Sequence, residues 1–210
     1  MYLPRHFAET RVEVLHDLIR RMPLGTLVAA TADGLEASHL PFEIDPLPQP
    51  FGTLRCHLAR ANPLWQQIGA DREVLVVFQG EQAYVSPSWY PTKQQDSRVV
   101  PTWNYVAVHA YGVAKVTQDA AWLRRMVEGL THRHEQGRAD PWHVSDAPGE
   151  YIDKMLGAIV GVEIPLTRLL GKWKLSQNRT VADRQGVVAG LERDGSPAQT
   201  DVAALIKTML

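Results

Sequence analysis

The sequence predicts a mainly β fold, a closed antiparallel barrel with helices on its flanks. Three observations predict it. Short stretches alternate apolar and polar residues at a period of two, the pattern of strands with one buried face. Turn signals such as Asp33-Gly34 recur between those stretches, as they do in sandwiches and barrels. Helical periodicity is confined to stretches that precede, interrupt or follow the strands.

Taken in order, Thr10-x-x-Glu13 reads as a capping box, and Val14, Leu15, Leu18, Ile19 and Met22 follow at helical spacing. Pro23 and Gly25 end that helix. Leu24 to Thr31 is a strand, Asp33-Gly34 its hairpin turn, and Leu35 to Ile44 the returning strand. On it Leu40, Phe42 and Ile44 share one face, and Ala37, His39 and Pro41 the other. Pro41 cannot donate to a ladder and so marks an edge or bulge. After a proline-rich loop, Gly52 to Leu58 alternates again, with Leu54, Cys56 and Leu58 on one face and Thr53, Arg55 and His57 on the other. Asn62 and Pro63 then open a short helix. Its free N–H groups, with Arg55, His57 and Arg60 nearby, suit an anion such as phosphate. An ordinary strand-to-helix junction with surface arginines explains the same residues.

Glu73 to Gln79 reads as a strand, Gly80-Glu81 as a turn, and Ala83 to Ser86 as the strand after it. The aromatic loop with Trp89 and Tyr90 leads into a polar flap that runs to Val100. Thr102 to Val116 is the longest strand signal, with Trp103, Tyr105, Ala107, His109 and Tyr111 opposite Asn104, Val106, Val108 and Ala110. Asp119 to His132 is helical, Arg133 to Pro148 loop-like, Glu150 to Leu156 a short helix, and Ala158 to Ile164 a buried strand. Thr180-x-x-Asp183 caps a further helix, Asp194-Gly-Ser-Pro197 breaks it, and a last helix runs from about Asp201 to Leu210. Residues 1–180 are thus expected to form the main domain, and 181–210 a helical appendage.

The chain has 210 residues, 45% of them hydrophobic, enough for one sizeable core. Its formal net charge of -1 supplies no global field for nucleic acid or membrane. Cys56 is the single cysteine, which fits a reducing compartment. The N-terminus lacks signal-peptide character, and no apolar run is long enough for a membrane span. A cytoplasmic protein is expected. No G-x-S-x-G, P-loop or G-x-G-x-x-G motif is present. His132, His134 and His143 offer metal-ligand types, but a solvated polar loop explains them better than a zinc site, which wants four ligands. The run Lys172 to Arg179 combines three cations with Ser176, Gln177 and Asn178, a mix that suits a phosphorylated, ring-bearing ligand. A charged helix entry suits it equally. In the Trp103-Asn104-Tyr105 cluster the two aromatics, at alternate positions, would stack on a flat ring or pack a dimer interface.

These motifs resemble one family. Met1 to Phe7, Ser38 to Phe42, His57 to Trp65, Val77 to Tyr90, Val100 to Tyr105 and Lys174 to Arg179 are similar, in order and nearly end to end, to the PaiB-type FMN-binding negative transcriptional regulators. The resemblance implies a split β-barrel of the pyridoxamine-phosphate-oxidase and flavin-reductase group, a homodimer with FMN at the subunit interface. It implies that His39, Leu40 and Pro41 border the isoalloxazine. Arg55, Cys56, His57 and Leu58, with Asn62, would take the ribityl-phosphate end. Trp103 and Asn104 would come from the partner, and Ser176, Gln177 and Asn178 would also meet the cofactor. It further implies repression, with promoter DNA as a partner by family inference alone. The C-terminal helix pair lacks a basic recognition helix, and the turn expected between its helices is longer than a helix-turn-helix uses. An FMN-dependent oxidoreductase using NAD(P)H is the competing reading. Haem on His109 or the His132/His134 pair is a third.

Overall fold

The computed structural model describes residues 1–68 and 72–210. Among them a nine-stranded antiparallel sheet runs in the order β3-β2-β6-β7-β9-β5-β4, and β1 and β8 also pair with β9. The strands are β1 (Ala8–Glu9), β2 (Leu24–Thr31), β3 (Gly34–Pro41), β4 (Glu43–Asp45), β5 (Thr53–Ala59), β6 (Glu73–Val85), β7 (Thr102–Val113), β8 (Lys115–Thr117) and β9 (Ile159–Lys174). The helices are α1 (Val12–Arg21), α2 (Leu64–Gln67), α3 (Ala120–Glu135), α4 (Gly149–Gly157), α5 (Val181–Asp194) and α6 (Pro197–Lys207). The chain packs as two compact units. One holds Met1–Leu15, Gln79–Val108 and Leu170–Leu210; the other holds His16–Phe78 and His109–Leu169.

In the second unit, alternation builds the core as expected. Leu54, Cys56 and Leu58 are buried, while Arg55 and His57 are half-buried on the opposite face of β5. Phe42 meets Phe78 edge to face, with centroids 5.6 Å apart. Under α3 and α4, Leu123, Val144, Ile152 and Leu156 form an apolar cluster with Trp122 and Ile159 against it. Asp119 caps α3 by accepting from Trp122 N–H at 2.6 Å. The helix continues to Glu135, so His132 and His134 lie on its last turn and not in a loop.

Three boundaries in this unit differ from the sequence reading. The hairpin loop is Ala32–Asp33, and Gly34 is already in β3, with φ 119°. The positive φ falls where glycine stands, so the turn moves by one residue. The strand expected from Leu35 to Ile44 stops at Pro41, and Phe42 N–H donates to Pro23 O outside the ladder. The short helix after Asn62 starts at Leu64, one residue later than expected, with Pro63 at its N-cap position, although Asn62 Oδ1 does accept from Leu64 N–H at 2.9 Å.

In the first unit, α5 and α6 pack together beside the aromatic loop. Gly186 and Gly190 let α5 lie directly on Trp89; a Cβ at Gly190 would enter the indole ring. Thr180 caps α5, and Asp183 N–H donates to its hydroxyl at 3.2 Å. The last helix starts at Pro197, earlier than expected, because Ser196 and Gln199 form a reciprocal capping box. The link between α5 and α6 is therefore only Gly195–Ser196, shorter than the sequence suggested.

Three long strands were also cut differently by the sequence reading. Gly80-Glu81 does not turn; β6 runs straight through it. What changes there is parity: Val74, Val76 and Phe78 are buried before it, Ala83 and Val85 after it. Ala114 separates β7 from β8, so the signal from Thr102 to Val116 is two strands. β9 passes through Pro165 and absorbs Leu169 to Lys174. Proline is tolerated because Thr53↔Pro165 is the last pair of the β5 ladder.

Candidate functional site

The residues singled out from the sequence fall into separate groups. The first lies on β3. Its register sets His39 opposite Thr26 and Ser38 opposite Leu27. β3 is an outer strand of the sheet, and most of its residues are exposed on both faces. His39 is exposed; Leu40 and Pro41 are half-buried. Asn62 belongs here too, since its Nδ2 donates to Ser38 Oγ at 3.4 Å. β3 thus offers unpaired backbone groups along an open edge, with Glu36, Ser38 and His39 as its polar side chains and Asn62 beside it.

The second group is the outward face of β5. His57 stands opposite Gly161 of β9. Its Nδ1 is buried and makes no hydrogen bond among the described residues, and burial holds the imidazole pKa below its usual value. His57 lines a cavity of about 400 Å³ whose other walls are apolar, including Val127, Trp142, Ile152, Met155 and Ile159. That volume lies within the range of small-molecule sites. A flat apolar ring with one acceptor or donor on its edge fits both the walls and the orphaned nitrogen.

Arg55 shares this face but is occupied. It pairs with Asp45 at 3.1 Å and Glu163 at 2.9 Å. Arg60 is likewise spent on structure, donating to Gly157 O, Ile159 O and Gln118 Oε1. For either cation to meet a phosphate, these acceptors would have to give way. Cys56 and Leu58 point into the core, so only their backbone is available to a ligand. Burial pushes the Cys56 thiol well above its usual pKa, which keeps it protonated and unreactive.

The third group is built in the other unit. Asn104 is buried, and its Nδ2 donates to Ser176 Oγ at 3.0 Å. Ser176 has φ 66°, the sole positive φ at a non-glycine among the described residues. Gln177 serves the turn itself: its Nε2 donates to Trp173 O at 2.5 Å and its Oε1 accepts from Leu175 N–H at 2.8 Å. Asn178 is exposed. Trp103 is about half exposed, bonds Gln82 through Nε1 at 3.1 Å and meets Tyr84 edge to face. Sequence reasoning missed Tyr90, which is buried with the Arg179 guanidinium over its ring. Its place in an aromatic loop gave no polar signal.

The histidines of the other readings lie elsewhere. His132 and His134 are exposed, and His143 caps the short turn at Val144–Asp146. Among the described residues no group of three or more His, Cys, Asp or Glu converges to hold a metal ion. None of their helices is long and apolar enough to cross a membrane.

Residues 1–168 match a family described as "Putative FMN-binding domain". The chain belongs to this FMN-binding family. The implied cofactor is FMN, as the motifs led us to expect. The chain is 32% identical over its full length to the Bacillus subtilis protein named "Protease synthase and sporulation protein PAI 2", covering 98% of it. An uncharacterized protein of Emericella nidulans is 36% identical over 99% of this chain and 96% of its own. Among solved structures, an FAD and heme binding protein of Mycobacterium smegmatis superposes with a TM-score of 0.60 at 17% identity, over 87% of this chain and 80% of that one. A conserved protein of Mycobacterium tuberculosis gives 0.59 at 15% identity, over 85% and 92%. These likenesses show the fold, a split β-barrel with flanking helices. The family match ends at residue 168, so Ser176, Gln177 and Asn178 of the third group lie outside the matched segment of this FMN-binding chain, while Trp103 and Asn104 lie within it.

Proposed function

We propose that this FMN-binding protein is a PaiB-type negative regulator of transcription, a cytoplasmic homodimer with FMN at the subunit interface. The observation that carries the reading is the full-length likeness to the Bacillus subtilis protein, whose name refers to protease synthesis and sporulation. In this reading His39, Leu40 and Pro41 border the flavin from the open β3 edge. His57 offers its orphaned nitrogen, Asn62 holds the ribityl side, and a second copy supplies Trp103 and Asn104. FMN, when bound, supplies redox chemistry that no side chain here has. The protein's own residues orient it, exclude water and, at His39 or His57, exchange a proton.

Direct DNA contact has little physical support. The cations of the C-terminal pair are engaged within the chain: Arg184 donates to Met209 O, Arg193 meets Asp194, and Lys207 meets Glu192. Few cations are left there for phosphates, which dominate DNA affinity. Promoter DNA is therefore proposed as a target reached through another protein.

The test is genetic and spectroscopic together. Deleting the gene is expected to raise transcription of a defined set of genes. A His39→Ala copy that no longer retains FMN is expected not to restore repression. Full repression by that flavin-free copy would overturn the reading. Steady NAD(P)H turnover by the FMN-loaded protein, with transcription unchanged on deletion, would favour the oxidoreductase instead.

A further inference from the structure

One polar cavity holds cations, Lys174 and Arg179, to which the flavin reading gives no role. It lies within the first unit, has a volume of about 110 Å³, and is lined by Tyr90, Thr102, Asn104, Lys174, Ser176 and Arg179 among others. No carboxylate lines it. The cations reach it from two sides of one turn. Lys174 ends β9, and Arg179 N–H donates to Ser176 O at 2.9 Å just before α5.

Two protons of Lys174 Nζ are taken by Thr102 Oγ1 at 2.6 Å and Trp103 O at 2.5 Å. An ammonium has a third. The Arg179 guanidinium stands 4.8 Å from the Tyr90 ring centroid. It forms no ion pair among the described residues, because Asp183, four residues on, accepts from Thr92 instead. Tyr90 Oη is buried without a hydrogen bond of full geometry. Burial, then Lys172 and Arg179, hold the Lys174 pKa below its usual value. Lys172, Lys174 and Arg179 outnumber Asp183, the carboxylate near Tyr90, and unbalanced cations are costly unless a ligand supplies the counter-charge. Ser176 is held in a left-handed conformation and fixed to buried Asn104, and backbone strain of this kind gathers at binding sites.

We infer that this cavity binds a phosphate group through Lys174, Arg179 and Tyr90. Its volume suits one tetrahedral oxyanion and is well below that of a site for a flat tricyclic ring. A phosphate monoester carries about -1.5 to -2 charges near neutral pH, which matches two cations; a carboxylate would leave one unbalanced. The group has two sources, the phosphate end of FMN or a separate phosphorylated ligand. The site itself does not rest on the cofactor reading.

The experiment is a titration of the full-length, flavin-free protein with inorganic phosphate at constant ionic strength, followed by calorimetry. Saturable binding is expected, weakened about tenfold or more in Arg179→Gln and less in Tyr90→Phe, as loss of a charged and a neutral hydrogen bond would give. Arg179→Lys keeps the charge and controls for folding; it is expected to retain part of the binding. Repeating the titration with saturating FMN separates the sources. Loss of phosphate binding identifies the cavity with the FMN phosphate, and persistence identifies a separate ligand. No saturable binding, or equal binding in Arg179→Gln, would overturn the inference.

Discussion

At the scale of single residues, His57 carries the clearest consequence. Its imidazole is half-buried, and that burial holds its pKa below the ordinary 6.5. Between the lowered value and the ordinary one, the unfolded chain binds more protons than the folded chain. Stability therefore rises with pH across that window and is lost as pH falls through it. On going from about pH 7.5 to about pH 5.5, the wild type is expected to lose more stability in urea unfolding than His57→Gln does. Equal losses would mean that His57 titrates as it does in the unfolded chain. The polar role of His57 was visible in the sequence, since it alternates against Leu54, Cys56 and Leu58. The partners of Arg55 were not visible. Glu163 lies 108 positions away in the chain, and only the β5–β9 register brings it opposite Arg55. Cation identity is local information; whether the cation is free is tertiary information.

At the scale of elements, sequence patterns located strands better than they ended them. β2 was legible to the residue, because caps, Pro23 and a hairpin bound it on both sides. β6 and β9 were cut too short because glycine and proline are ordinarily breakers. In β6 the glycine marks a change in which face is buried; in β9 the proline marks a change of partner. Neither meaning is available without the neighbouring strands. At the C-terminus the missed signal was local: Ser196-Pro-Ala-Gln199 is a capping box. Its worth is measurable. Ser196→Ala is expected to cost about 1 kcal/mol in denaturant unfolding, and no change would mean that α6 is held by packing alone. The larger effect belongs to Gly190, where the added methyl of alanine must displace the Trp89 ring. That substitution is expected to cost about 1–3 kcal/mol.

At the scale of the whole molecule, the family and its cofactor were legible because the motifs persist in order from Met1 to Arg179. The site was only partly legible. Motif positions do not say which side of a strand faces a ligand, so Cys56 and Leu58 were grouped with His57 although they face the core. Gln177 looked like a ligand and proves to close its own turn. The exposed β3 edge, with Leu35 81% exposed, and the half-exposed Tyr84 and Trp103 are the surfaces on which a second copy is proposed to sit. This chain is proposed to hold FMN in a homodimer. The most direct test is a sizing column of the protein loaded with FMN, with light scattering for mass and the visible spectrum recorded across the peak. The expected result is a flavin spectrum that travels with a particle of twice the chain mass. Flavin eluting free of the protein, or bound to a monomer, would contradict it.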